Sequence, residues 1–189
     1  YRYVWVGEVV ADGTSPYAHA PDSPVLADQR GWLSEVYERM NHPEVSAAYP
    51  PVAQYAFGLL VTVVHWIQGD TGMAGPGLFA VLVMRVSFAL CAVLVLWPLF
   101  VLLDRAGKPR SAAVAGGWSP LVALEFAGSG HFDSRGIVLM LAGLALWTRP
   151  RHDRSAMDDG AAVTVLGAAT LVKLLPGIAL VFALRERPR

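Results

Sequence analysis

A membrane-embedded bundle of α-helices is the fold class this sequence predicts, and three observations predict it. Of 189 residues, 54% are hydrophobic and 16% charged, where a soluble domain carries about 25% charged residues. Residues 79–103 form a run of 25 interrupted only by Arg85, and about 20 apolar residues are enough to cross roughly 30 Å of hydrocarbon. Basic residues gather in the short connections between apolar runs, the pattern that orients a multi-pass protein. The formal net charge of zero and the single cysteine add little. Cys91 lies inside an apolar run, so no disulfide is available and a small core residue is its reading.

Taken in order, residues 1–50 are polar, with seven acids against three arginines, a net of −4. Their turn signals are dense: Asp12-Gly13, Ser15-Pro16, Ala20-Pro21, Ser23-Pro24 and His42-Pro43. Residues 31–40 are expected to form a short helix with Trp32, Val36 and Met40 on one side. Pro51 suits a first helical turn and opens the apolar stretch 52–67. Further apolar stretches follow at 78–103, 111–127, 135–148 and 160–184. Arg105, Lys108 and Arg110 follow the first of these, Arg149, Arg151 and Arg154 the third, and Arg185, Arg187 and Arg189 the last. The preference of basic loops for the cytoplasm puts these clusters inside, and residues 1–50 and the 128–135 connection outside.

Parity then constrains the crossings. With 1–50 outside and Asp104 inside, one crossing fits between them, and 78–103 is the longer candidate. Residues 52–67, about 24 Å of helix, are read as an interfacial helix that does not cross. The chain thus divides into an extracytoplasmic part, 1–77, and membrane helices within 78–189. Residues 160–184 have arginines at both flanks. They read either as a broken, re-entrant hairpin bending near Pro176-Gly177 or as a plain span. The start without Met and the stop just after an apolar run read as a fragment of a longer protein.

The ionisable residues that interrupt apolar sequence are the candidates for chemistry. Glu125, His131, Asp133 and Arg135 crowd into eleven positions around Gly128-Ser129-Gly130. His131 and Asp133 fit a base with its orienter, a pair of metal ligands, or a helix cap at Asp133-Ser134. Glu125 fits an ion pair with Arg135. Lys173 is the lysine inside an apolar run, and it reads as a counter-charge for a lipid phosphate or as a side chain reaching for the headgroups. Arg85 reads as snorkelling, and Tyr49, Gln54 and Tyr55 as an aromatic belt at the start of the interfacial helix. His152 lies in a basic loop and gets no role. No phosphate-binding glycine loop, Cys/His metal spacing or nucleophile elbow is present, and Gly72-Met73-Ala74-Gly75-Pro76-Gly77 is a turn. Nothing points to nucleic acid.

Four short motifs carry a resemblance: Arg2-Tyr3-Val4-Trp5-Val6-Gly7 with Ser15-Pro16-Tyr17, Tyr49-Pro50-Pro51-Val52-Ala53-Gln54, Gly128-Ser129-Gly130-His131-Phe132-Asp133, and Leu171-Val172-Lys173-Leu174-Leu175-Pro176. In this order the chain resembles bacterial integral-membrane glycosyltransferases of the GT-C class, the polyprenol-phosphate-mannose-dependent mannosyltransferase-like group. The resemblance implies a hexosyltransferase of the bacterial cell membrane. It would move a sugar, by expectation mannose, from a polyprenyl-phosphate donor to an extracytoplasmic lipid or glycan acceptor, with inversion. It implies a donor phosphate held by positive charge, Lys173 here. It places the catalytic aspartate on a helix upstream of Tyr1, so no catalytic residue is assigned within the chain. His131, Asp133, Lys173, Tyr49, Gln54, Arg2 and Glu125 are the expected substrate-binding residues. No cofactor is called for, and a divalent metal is left open. Val6 and Glu8 stand where the family has Asp and Arg, which leaves an inactive homologue as one alternative. A transporter or lipid-flippase module is the other.

Overall fold

The computed structural model describes residues 1–69, 77–117, 119–128, 130–150, 152 and 155–185, and among these it is helical with no strand. The greater part of the expected turn at 72–77, and Ser129, Arg151, Arg154, Arg187 and Arg189, fall outside the described residues. The chain separates into two compact units, Tyr1–Met84 and Arg85–Arg189.

In the first unit α1 (Arg2–Ala11) buries Val4, Trp5, Val6 and Val9. A 3₁₀ turn (Pro24–Leu26) leads into α2 (Ala27–Trp32) and α3 (Ser34–Glu38). The single helix expected over 31–40 is therefore split. Leu33 sits between the two pieces at φ −106°, ψ 33°. That one-residue kink, next to the poor helix former Gly31, rotates the apolar face. Leu33 joins Val36 and Met40 inside, and Trp32 is left 51% exposed. α4 (Pro51–Gln68) starts on its proline as the sequence predicts and packs on α1. The two helices cross closely through glycines. A Cβ on Gly7 would lie 2.7 Å from the Phe57 carbonyl oxygen, and one on Gly58 2.7 Å from Val10 Cγ1. α4 is apolar on two faces: Phe57, Val61 and Val64 are buried, while Tyr55, Leu59, Val63, Trp66 and Ile67 are exposed.

α5 (Gly77–Leu94) runs from the first unit into the second and continues as α6 (Leu96–Arg105). The ladder breaks between them because Pro98 has no N–H to give to the Leu94 carbonyl. Together they form a 29-residue helix that contains an 18-residue stretch of mean hydropathy 2.7, long and apolar enough to cross a membrane. Its outer surface carries Leu82, Val86, Leu90, Val93 and Trp97.

The continuous helix expected over 111–127 is not formed. A 3₁₀ turn (Arg110–Ala113), α7 (Val114–Gly117), the three-residue α8 (Pro120–Val122) and a π-turn (Ala123–Gly128) take its place. Gly116-Gly117 and Ser119-Pro120 are the cause, since glycine weakens helix and proline cannot continue it. Among the described residues one helix, rather than four, meets the length and hydropathy of a membrane span.

α9 (Asp133–Trp147) and α10 (Ala156–Val172) pack side by side, with Trp147, Ala162 and Leu166 in their core. α10 opens on a capping box in which Ser155 and Asp158 bond reciprocally. It ends at Lys173, which is extended (φ −149°, ψ 142°), because Pro176 can neither donate to the Val172 carbonyl nor accept a helical residue before it. α11 (Gly177–Arg185) then returns Ala179, Leu180 and Ala183 to the same core.

Candidate functional site

In the first unit the Tyr49-Pro50-Pro51-x-x-Gln54 motif has a mechanical meaning. The Tyr49 carbonyl accepts from Gln54 Nε2 at 2.9 Å and from the Tyr17 hydroxyl at 2.6 Å. The Tyr49 ring stacks edge-on to Tyr3 and Phe57, with centroids 5.5 and 5.6 Å apart. These contacts fix the entry to α4, where proline withholds backbone donors. Arg2 is equally committed: its guanidinium donates to the carbonyls of Asn41, His42, Val45 and Ser46 and so pins the 41–46 loop.

A pair that sequence reasoning passed over lies between α1 and α4. Glu8 is wholly buried, and its Oε1 is 3.1 Å from His65 Nε2, while its Oε2 has no hydrogen-bond partner. Burial pushes the Glu8 carboxyl above its ordinary value, and the neighbouring His65 opposes that push. The ring of His65 in turn meets Trp32, with centroids 5.6 Å apart. An acid in the apolar run Val6-Gly7-Glu8-Val9-Val10 was the readable signal. Its partner, 57 residues away, was not.

In the second unit four of the expected residues converge on the 125–135 connection. His131 donates its backbone N–H to the Glu125 carbonyl at 2.9 Å, and its Nε2 is 3.2 Å from Glu125 Oε2. Asp133 is the first residue of α9, where a carboxylate suits the helix dipole, and its Oδ1 lies 2.5 Å from Lys173 Nζ. At the α10 break the Lys173 N–H still closes the last helical bond, to the Ala169 carbonyl at 3.0 Å, while its extended φ and ψ turn the chain out of the helix and its ammonium meets the start of α9. The expected Asp133-Ser134 cap is not made. Asp133 binds Lys173, and Ser134 donates to the Phe88 carbonyl at 2.9 Å. The expected Glu125–Arg135 pair is not made either. Arg135 donates to Ser87 Oγ at 2.8 Å and stacks over the Phe88 ring at 4.8 Å, and Glu125 faces His131 instead.

Arg85, read from the sequence as snorkelling, donates to the Gly128 carbonyl and packs against Gly130, whose φ of +69° only glycine adopts at low cost. Two cations thus touch one short connection, Arg85 at Gly128–Gly130 and Lys173 at Asp133. The side chains of Lys173 and Asp133 are 49% and 31% exposed. An ion pair that open contributes on the order of 0–1 kcal/mol, so an incoming phosphate can compete with the carboxylate for the ammonium. Among the described residues no three His, Cys, Asp or Glu side chains gather to hold a metal ion; Asp133 is held by Lys173 and His131 by Glu125.

A family model described as alpha-(1->6)-mannopyranosyltransferase, N-terminal domain (the MptA_B family) matches residues 1–185. No curated protein matches the chain, and no solved structure does.

Proposed function

Because the chain belongs to this mannosyltransferase family, whose match covers nearly its whole length, we propose that it transfers mannose from a polyprenyl-phosphate donor to an extracytoplasmic acceptor, and that Lys173 receives the donor phosphate. The observation that carries the proposal is the Lys173–Asp133 pair at the break after α10. A lysine released from helix geometry and held by one exchangeable carboxylate is a phosphate site at rest. The donor's monoanionic phosphodiester takes the ammonium, which also meets the second charge that appears on the phosphate as it leaves, and Asp133 is freed to hold sugar hydroxyls beside His131.

In the reaction the acceptor oxygen attacks the anomeric carbon, the bond from that carbon to the phosphate oxygen breaks, and the electron pair leaves with the phosphate. Lys173 stabilises the charge that develops there. The hydroxyl proton goes to a carboxylate base, which the resemblance puts upstream of Tyr1. The 29-residue apolar helix supports a donor delivered from a lipid phase. The exposed apolar face of α4 supports an interfacial position for that helix.

The test is mannosyl transfer by the Lys173→Ala variant. The expected outcome is a loss of about 10²–10³ in turnover, the usual consequence of removing a preplaced charge from the leaving oxygen, with a small change in thermal midpoint. Unchanged turnover would remove Lys173 from the mechanism.

A further inference from the structure

A cleft of about 460 Å³ opens between the Gly13–Tyr17 turn that follows α1 and the first turns of α4. Its walls are fixed from behind. Thr14 N–H donates to the Val9 carbonyl at 3.0 Å, Ala47 N–H to the Pro16 carbonyl at 3.0 Å, and the Tyr17 hydroxyl to the Tyr49 carbonyl at 2.6 Å. Two rings face the opening, Tyr17 at 47% and Tyr55 at 71% exposure. Both rings line the same cleft, and burial, and after it the neighbouring Tyr55 phenol, pushes the Tyr17 hydroxyl up. The hydroxyls of Thr14 and Ser15 and the amide of Gln54 complete the polar lining. Gln54 spends one amide hydrogen on Tyr49 and keeps its other hydrogen and its carbonyl oxygen to offer.

The lining contains no Lys, Arg, His, Asp or Glu. A phosphate would find no counter-charge there, whereas a ligand with many hydroxyls and apolar ring faces would be matched on both counts. We propose that this cleft is the subsite for a neutral mannopyranose unit of the acceptor glycan, with a sugar face against Tyr55 and its hydroxyls bonded by Thr14, Ser15 and Gln54. The inference rests on the mannosyltransferase reading and adds where the uncharged substrate is held. The same aromatic exposure would arise from a membrane-interface belt, but a belt needs neither the hydroxyls nor the enclosed volume.

The experiment is binding of α-(1→6)-mannobiose, and separately of mannose 1-phosphate, to the full-length protein in detergent, with the Tyr55→Ala and Ser15→Ala variants beside it. Both side chains are exposed, so both variants are expected to fold. Mannobiose should bind, and Tyr55→Ala should weaken it by about tenfold, the loss of one aromatic contact, with mannose 1-phosphate unaffected. In turnover the same variant should raise the acceptor KM and leave kcat. Mannobiose binding that is absent, or indifferent to both substitutions, overturns the assignment. So does mannose 1-phosphate losing affinity in step with mannobiose, which would make the cleft a donor-sugar site. The phosphate role of Lys173 fails by a different sign: transfer that survives Lys173→Ala while Tyr55→Ala still weakens mannobiose.

Discussion

At the residue scale, Glu8 is a carboxyl whose protonation is coupled to folding. Its carboxyl is fully buried with one oxygen unpartnered, and its ordinary value of 4.5 is raised by burial, against the opposing pull of His65 and with Asp12 adding to the rise. The folded state therefore keeps a proton that the unfolded chain gives up as pH climbs past 4.5. Where the unfolded state binds fewer protons, stability falls with rising pH. The wild type should accordingly lose stability above that value until the folded Glu8 ionises. Glu8→Gln, which keeps the shape without a charge, should flatten this limb and match or exceed wild type near neutral pH. Thermal midpoints across that range check it. A Glu8→Gln variant that loses about 3–5 kcal/mol at neutral pH would show instead a buried ion pair with His65. Residues of this kind mark what the sequence made legible. Lys173, Asp133, His131 and Glu125 each stood out as ionisable groups beside apolar runs, because burying charge is costly wherever it occurs. Their pairing did not stand out: Lys173 and Asp133 are 40 positions apart, and Glu125, which faces His131 rather than Arg135, sits on the π-turn Ala123–Gly128 that replaces the expected helix.

At the scale of elements, proline and glycine decided most of the differences between expectation and structure. Pro51 and Pro176 act locally, one starting α4 and the other ending α10, so both events were readable. The fragmentation of 111–127 had the same chemistry in view, but hydrophobicity outweighed the Gly-Gly and Ser-Pro signals in the sequence reading. Glycine also sets the α1–α4 crossing, and that role is invisible without a partner helix. A methyl at Gly7 would meet the Phe57 backbone at 2.7 Å. Backbone cannot swing aside as a side-chain tip can, so Gly7→Ala should cost about 1–3 kcal/mol, read as a lower thermal midpoint. The control is Gly160→Ala in α10, where nothing lies within 4 Å and the same change should be neutral or stabilising by up to about 1 kcal/mol. Equal effects at both positions would contradict the close crossing.

At the scale of the whole molecule, composition announced an apolar helical protein, and the 29-residue helix over Gly77–Arg105 carries that signal. Its exposed leucines and valines, Leu82, Val86, Leu90 and Val93 among them, are the surface a lipid phase would cover at least cost. The two units offer different chemistry. Residues 1–84 hold an uncharged cleft lined by tyrosines and hydroxyls. Residues 85–189 hold cations around a short acidic and imidazole-bearing connection. That contrast is the basis on which the proposed function gives the neutral sugar to the first and the charged phosphate to the second. In the proposed mechanism Lys173 serves the donor phosphate and is only parked on Asp133. The most direct measurement is mannosyl transfer from polyprenyl-phosphate mannose by the charge-swapped double variant Lys173→Asp, Asp133→Lys, with Lys173→Ala alongside. A pair that only braces α9 against the end of α10 would be restored by the swap, and activity would return. A phosphate site would not, since the cation would then stand on the wrong helix. A phosphate role for Lys173 requires a folded double variant with transfer as low as that of Lys173→Ala; recovery to wild-type turnover would leave the pair a brace alone.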